Sequence, residues 1–178
     1  MLKHMKFPRV AGIALVAALA LIPAATAEAG GGIGTNTSPT VSGSKAKLHH
    51  GKAIAPANAP REVQKVIAAA NKIRNKPYVY GGGHGNWHDN GYDCSGAVSF
   101  ALHGGKLLKS PLDSSGLSKY GQRGKGSWIS VYGNPSHAYM IVAGLRFDTS
   151  NTRGDGPSWS RSMRSTSGKF KVRHPRGF

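Results

Sequence analysis

The stretch GYDCSGAVSFAL, residues 91–102, decides how this sequence is interpreted. It holds Cys94, the only cysteine among 178 residues, between an aspartate and a Ser-Gly pair. The apolar run that follows predicts a mostly buried helix over 95–102, ended by a pair of glycines. Cys94 would then lie in the first helical turn, where unpaired backbone N–H groups and the positive end of the helix dipole favour an anion.

A thiolate is such an anion, because helix starts lower the pKa of cysteine. Asp93 suits the N-cap position of this helix, and the backbone N–H groups after it could hold an oxyanion during acyl transfer. The alternative is an inert cysteine that packs as a small hydrophobic residue. In the first interpretation the stretch supplies an activated nucleophile, which still needs a base.

The N-terminal residues 1–27 are typical of an export signal. Three cations precede an uncharged apolar run over 10–22, and Ala-Thr-Ala at 25–27 is a small-residue cleavage site. The run is short for a membrane span, which needs about 20 residues. We therefore expect a secreted protein without a stable membrane anchor. Secreted chains usually pair their cysteines, so a single one indicates an intermolecular bridge or a reactive thiol.

The charge balance is strongly basic, with 24 Lys and Arg against 7 Asp and Glu and a net charge of +17. The predicted signal holds three of these cations and no acid, so +14 remains on the rest of the chain. This excess favours polyanions, which outside a cell include wall polymers, lipid head groups and nucleic acid. The sequence lacks a recurring aromatic-basic pattern, and we expect no nucleic-acid partner.

Residues 28–57 are rich in Gly, Ser, Thr, Ala and Pro and poor in large apolar side chains. We predict a flexible basic spacer there, because this composition buries too little surface to offset the ordering entropy. Residues 58–178 are enough for one domain with one core. Within it the patterns predict helices over 61–74, 95–102 and around 117–120, then strands over 128–132, 137–142, 145–149 and 170–173. Helices followed by strands predict an α+β domain with an antiparallel sheet.

Five histidines beyond the spacer are candidates for the base: His84, His88, His103, His137 and His174. His137 opens the strand-like run HAYMIV, which would hold its ring rigidly beside a pocket. A metal loop built from His84, His88 and neighbouring aspartates is not favoured, because the spacing is not helical and Asp93 serves as a cap. The glycine-rich segments GGGHG and GQRGKG lack the spacings of dinucleotide and phosphate loops, so no metal or cofactor is predicted.

Three segments together resemble the NlpC-type family of cell-wall cysteine peptidases: PYVYGG at 77–82, YDCSGAVSF at 92–100 and SHAYMIVAGLRFDTS at 136–150. They stand in the family's order and cover about residues 60–150. The resemblance implies a papain-like core, with N-terminal helices packed on a small antiparallel sheet. It also implies a secreted, wall-associated enzyme that cuts peptidoglycan stem peptides, often at the D-glutamyl to diamino acid bond, with anionic wall polymers as further partners.

Carried over to this sequence, the resemblance implies that Cys94 is the nucleophile and His137 the general base, later the acid to the leaving amine. Tyr78 matches the family's first aromatic residue, which lies beside the nucleophile. We therefore place Tyr78 and Ser95 at the substrate or the oxyanion. The alternative for Tyr78 is an ordinary core aromatic residue.

The third catalytic residue of the family usually lies twelve positions after the histidine, which here is Thr149. The turn at Ala143-Gly144 looks one residue shorter than the family's, which brings Asp148 into place. Around a two-residue turn His137 and Asp148 share one face of the hairpin, and a carboxylate is the better partner for an imidazolium. We predict Asp148, with Thr149 and Ser150 as alternatives.

Two departures from the family bear on substrate choice. The stretch GSWISVYGNPS is only loosely similar to the family's Gly-Asp-Leu segment, and GHGNWHDNGY lengthens the loop before Asp93. Two other functions stay open: an amidase or antibacterial effector on the same core, and a non-catalytic wall-binding protein. The sequence leaves the oligomeric state open.

Overall fold

The structure is a computed structural model that describes residues 39–151, 154–165 and 169–178. These residues belong to one compact unit, which runs from Asn36 to Phe178. The predicted export signal lies outside the described residues. Every helix that the structure describes is too short or too polar to cross a membrane.

The described residues form helices and two sheets. The helices are α1 (Arg61–Ile73), α2 (Cys94–Gly104) and α3 (Ser114–Leu117). The strands are β1 (Thr40–Val41), β2 (Lys47–His49), β3 (Lys52–Pro56), β4 (Gln122–Arg123), β5 (Ile129–Gly133), β6 (Ala138–Val142), β7 (Leu145–Asn151), β8 (Gly154–Ser160) and β9 (Lys171–His174). The small sheet has the order β1-β3-β2, and the large sheet has the order β4-β9-β5-β6-β7-β8 and is antiparallel throughout.

Helix α2 forms the centre of the domain, because it packs against α1 on one side and against β6 and β7 on the other. Every residue from Cys94 to Leu102 is buried, as expected of a helix that is apolar all round. Helix α1 is amphipathic instead, with Val63, Val66 and Ile67 in the core. The predicted α+β class, with N-terminal helices on an antiparallel sheet, is confirmed.

The prediction of a flexible spacer over 28–57 is wrong for residues 39–57. This segment forms the small sheet, and Ala53 and Ala55 of β3 are buried. The Asn71 side chain on α1 accepts from the Ala53 N–H at 3.0 Å and donates to the Ala53 carbonyl at 2.8 Å. Small alanine side chains therefore suffice here, because a side-chain amide of α1 pairs the backbone of β3 directly.

Strand β8 was not predicted from the sequence, and α3 lies at a different position from the predicted one. The sequence of β8, GDGPSWS, contains a proline, a residue that within sheets is found mainly on edge strands, and β8 does lie at the edge of the large sheet. Helix α3 begins earlier than the predicted 117–120, because the Asp113 side chain caps it by accepting from the Gly116 N–H at 2.6 Å. The remaining predicted helices and strands agree with the structure to within about two residues.

The start of α2 lies directly against the glycine-rich loop that precedes it. A Cβ added at Gly96 would lie 2.0 Å from the Gly82 carbonyl oxygen. We expect Gly96→Ala to lower the free energy of unfolding by roughly 1–3 kcal/mol, because backbone must move to relieve the overlap. Gly85→Ala, in the glycine-rich loop itself, is the control, since no atom lies within 4 Å of its added Cβ. Equal urea midpoints for the two variants would contradict this close packing.

Candidate active site

Cys94 is the first residue of α2, and only 8% of its surface is exposed. Asp93 is the N-cap residue, as predicted, and its Oδ1 accepts from the Gly96 N–H at 2.7 Å. The cap fixes the start of the helix and therefore the position of the sulfur. The thiol thus lies where the helix dipole stabilises a negative charge.

His137 lies in the turn immediately before β6, and its backbone is held in place by Asn134. The Asn134 side-chain oxygen accepts from the backbone N–H groups of Ser136 at 2.9 Å and His137 at 2.8 Å. The His137 ring and the Ala138 N–H lie close enough to Cys94 to affect its thiol. Burial by itself would raise the pKa of the Cys94 thiol, but interaction with these two groups and the positive charge of His137 outweigh it, so the pKa is lowered.

Asp148 lies on β7 directly behind His137. Its Oδ1 is 2.9 Å from His137 Nε2, and the two side chains are 0% and 16% exposed, respectively. Because Nε2 contacts the carboxylate, Nδ1 is the nitrogen left for the sulfur. Burial would lower the pKa of His137, but hydrogen bonds to Asp148 and Cys94 raise it to about 9. Burial would raise the pKa of Asp148, but hydrogen bonds from His137 and the Ser150 N–H lower it to about 2.

The register of the β6–β7 hairpin explains why Asp148 reaches His137. Val142 pairs with Leu145 around a two-residue turn, so residues 137 and 148 fall on the same face. The two alternatives do not reach the ring. The Thr149 hydroxyl is buried without a hydrogen-bond partner among the described residues, and Ser150 donates its backbone N–H to Asp148 Oδ1 at 3.0 Å.

Two arginines that the sequence did not indicate flank the Asp148 carboxylate. Arg164 Nη1 lies 3.1 Å from Asp148 Oδ2 and 3.1 Å from His137 Nε2, and Arg146 Nε lies 3.6 Å from the same Oδ2. Arg164 is also packed over the rings of Tyr139 and Phe170, at 5.6 and 5.8 Å from their centroids. Both cations favour the ionised carboxylate, whereas the positive charge of Arg164, 3.1 Å from Nε2, by itself opposes protonation of the imidazole.

Tyr78 and Ser95 occupy different surroundings. Tyr78 is 41% exposed and so is not a core residue, and burial together with the charges of Cys94 and Asp93 raises the pKa of its hydroxyl. Ser95 is buried, and its hydroxyl donates to Asp93 Oδ1 at 3.0 Å. The Ser95 side chain therefore serves the helix cap, and only its backbone N–H is suited to an oxyanion.

Three of the other histidines interact with partners other than the Cys94 sulfur. His84 Nε2 lies 3.1 Å from both Asp93 Oδ1 and Ser95 Oγ, and so supports the cap. His103 stacks on Trp87 with ring centroids 4.0 Å apart, and His174 Nδ1 is 3.0 Å from the Gly124 carbonyl. Within the described ranges, no group of three or more His, Cys, Asp or Glu side chains could hold a metal ion.

Comparison with known proteins returned no matching family model and no matching curated protein. Solved structures with a similar architecture include RipD from Mycobacterium tuberculosis, described as a non-catalytic NlpC/p60 domain protein adapted to peptidoglycan binding. It is 22% identical with a TM-score of 0.48, over 65% of this chain and 98% of that one. An NlpC/p60 family protein from Bacillus cereus is 15% identical with a TM-score of 0.49, over 64% and 40% of the two chains.

A hypothetical invasion protein of Mycobacterium tuberculosis is 21% identical with a TM-score of 0.46, over 65% of each chain. This chain therefore spans less than two thirds of the length of the Bacillus cereus and invasion proteins. At these identities the likenesses concern the fold alone. NlpC/p60 domains, the family that the three sequence segments resemble, are among the solved structures to which this fold is similar.

Proposed function

We propose that this protein is a secreted cysteine peptidase that hydrolyses amide bonds in the stem peptides of peptidoglycan. One observation carries the proposal: Cys94 at a helix start lies near His137, whose Nε2 lies 2.9 Å from the buried carboxylate of Asp148. A thiol with a lowered pKa beside an imidazole with a raised pKa favours a thiolate–imidazolium pair. Such a pair is suited to acyl transfer.

In the proposed reaction the Cys94 thiolate attacks the amide carbonyl carbon, and the carbonyl electrons move onto oxygen. Backbone N–H groups at the start of α2, including that of Ser95, are placed to hold this oxyanion. The tetrahedral intermediate collapses as the His137 imidazolium protonates the leaving amine, and a thioester forms. His137 then takes a proton from water as the water attacks the thioester, and collapse of the second tetrahedral intermediate releases the carboxylic acid and the Cys94 thiolate, which restores the thiolate–imidazolium pair.

The stem-peptide substrate and the location in the cell wall rest on the sequence. The segments at 77–82, 92–100 and 136–150 resemble cell-wall peptidases, and residues 1–27 are typical of an export signal. Exposed aromatic side chains, Tyr78 at 41% and Tyr80 at 91%, lie next to the proposed site and are available to a substrate. The excess of positive charge would attract anionic wall polymers, and this attraction should weaken as salt increases.

Digestion of purified peptidoglycan, followed by mass spectrometry of the soluble products, tests the proposal. We expect fragments with a new amine on the diamino acid and a new carboxylate on D-glutamate. An amidase would instead release the whole stem peptide from the sugar. A folded protein that binds peptidoglycan and yields no products would contradict the proposal and favour a non-catalytic wall-binding protein.

A further inference from the structure

A concave surface lies between the small sheet, the end of α1 and strand β8. It has a volume of about 810 Å³ and is lined by the β2–β3 turn, the segment after α1, and β8 with the residues that follow it. We call this surface the basic groove. Its basic lining residues are His50, Arg74, Lys76 and Arg161, and Trp159 adds an aromatic face.

The lining of the basic groove is suited to negatively charged oxygen atoms. None of the lining residues that the structure describes is Asp or Glu, so no acid there neutralises the cations. The other polar lining residues are Asn75, Asn151, Ser158, Ser160 and Ser162. Asn75 and the serine hydroxyls can donate to a ligand, whereas Asn151 Nδ2 already donates to Asp148 and Ser158. Arginine and lysine next to amide and hydroxyl donors are the combination that binds phosphate and carboxylate groups.

Two arginines of the basic groove are arranged for a ligand. Arg74 Nε is buried and has no hydrogen-bond partner among the described residues, whereas Arg74 Nη1 donates to the Asn71 carbonyl at 3.3 Å. Arg74 Nη2 has no hydrogen-bond partner among the described residues and is not one of the fully buried atoms, so it is the donor of this guanidinium that remains for a bound oxygen atom. Arg161 Nη2 donates to the Leu48 carbonyl at 2.8 Å, which holds its guanidinium across to β2.

Two walls of the basic groove are joined through the chain to residues of the proposed active site. Lys76 and Pro77 line the groove and are followed by Tyr78, whose pKa is influenced by the charge of Cys94. On another wall, Asn151 Nδ2 donates to the Asp148 backbone carbonyl at 3.2 Å. The catalytic candidates Cys94, His137 and Asp148 are not themselves lining residues of the groove.

We infer that the basic groove binds an anionic segment of the wall polymer, through its phosphodiester or carboxylate oxygens. The identity of this polymer rests on the proposed function, but binding in the groove does not require catalysis. The segment 39–57, which contributes Leu48, His50 and Gly51, thus has a role in retaining substrate.

The test measures sedimentation of the full chain with cell walls, using Cys94→Ala throughout to prevent turnover. Lys76→Gln with Arg161→Gln removes two charges from the groove. Lys109→Gln with Lys125→Gln removes two charges from exposed positions outside it. We expect the groove pair to weaken binding by at least about tenfold near physiological salt. The slope of log affinity against log salt concentration should fall by the contribution of about two cations. The control pair should change affinity by less than about threefold.

Two kinds of wall distinguish the chemical source of the anion. Loss of affinity on intact walls only, and not on walls stripped of phosphodiester polymers, assigns the groove to phosphodiesters. Loss of affinity on both kinds of wall assigns the groove to the carboxylates of peptidoglycan. Equal weakening by both variant pairs, or no effect of either, would overturn the inference.

Two controls keep this result separate from folding and from catalysis. Replacing Arg161 also removes its hydrogen bond to the Leu48 carbonyl, which could affect the fold. Lys76→Glu, at an exposed position, is therefore made alone as well, and we expect it to weaken binding without lowering the urea midpoint. In the chain that retains Cys94, the groove variants should leave the rate of thiol alkylation unchanged. If the groove variants do not weaken wall binding, the proposed thiol chemistry is unaffected. If the alkylation result contradicts the thiol chemistry, binding in the groove is likewise unaffected.

Discussion

Cys94→Ala is expected to release no detectable new amine ends from peptidoglycan, a loss of at least about 10⁴-fold in kcat/KM. The proposed reaction passes through a thioester on Cys94, and no other cysteine is present to replace it. The measurement is the rate of product release from purified peptidoglycan, followed by mass spectrometry.

Retention of the fold and of wall binding is the control for this variant. Cys94 is buried as a small residue at the first position of a capped helix, so alanine should be tolerated there. We expect an unchanged affinity for cell walls and a urea midpoint close to that of the parent protein. Product release within tenfold of the parent rate would show that another group performs the attack.

Asp148→Asn is expected to lower kcat/KM by about 10²- to 10⁴-fold. The amide keeps the shape of the side chain but loses the charge that, together with the hydrogen bond, raises the pKa of His137 to about 9. The pKa of His137 should then fall towards its ordinary value of about 6.5, and the thiolate–imidazolium pair should be depleted near neutral pH. Titration of His137 by NMR, alongside peptidoglycan digestion, measures both effects.

Thr149→Val and Ser150→Ala are the matched controls, because these neighbours were the alternatives for the third residue. The Thr149 hydroxyl has no hydrogen-bond partner among the described residues, and Ser150 acts on Asp148 through its backbone N–H. Each substitution should change kcat/KM by less than about threefold. If either one costs as much as Asp148→Asn, the assignment of Asp148 is wrong.

The start of α2 and the pairing of His137 with Asp148 could be predicted because each depends on local sequence, whereas the placing of His137 beside Cys94 was implied only by the family resemblance. An N-cap aspartate before an apolar run places the start of α2, and the helix dipole then acts on Cys94. A two-residue turn fixes the register of β6 and β7, so the period of two along each strand brings residues 137 and 148 onto one face. These rules act within about a dozen residues and need no knowledge of the tertiary fold.

The features that the sequence did not indicate depend on distant contacts. Residues 39–57 carry few large apolar side chains, and they fold because Asn71 on α1 pairs the backbone of Ala53. Arg164 follows β8 in an irregular segment, and only the tertiary fold brings it within 3.1 Å of Asp148. His84 reaches Asp93 through a glycine-rich loop whose path has no periodic signal. Composition and periodicity carry no information about contacts between residues that are distant in the sequence.

The pH dependence of Cys94 alkylation by iodoacetamide, in the parent protein and in His137→Ala, tests the central claim most directly. The thiolate–imidazolium pair exists above the lowered pKa of Cys94 and below the pKa of His137, about 9. We therefore predict rapid alkylation of the parent protein well below the ordinary thiol pKa of about 8.5. In His137→Ala, burial would act against the thiolate without the imidazole to offset it, so alkylation should be slow until the pH is higher. Slow alkylation with the same pH profile in both proteins would contradict the account.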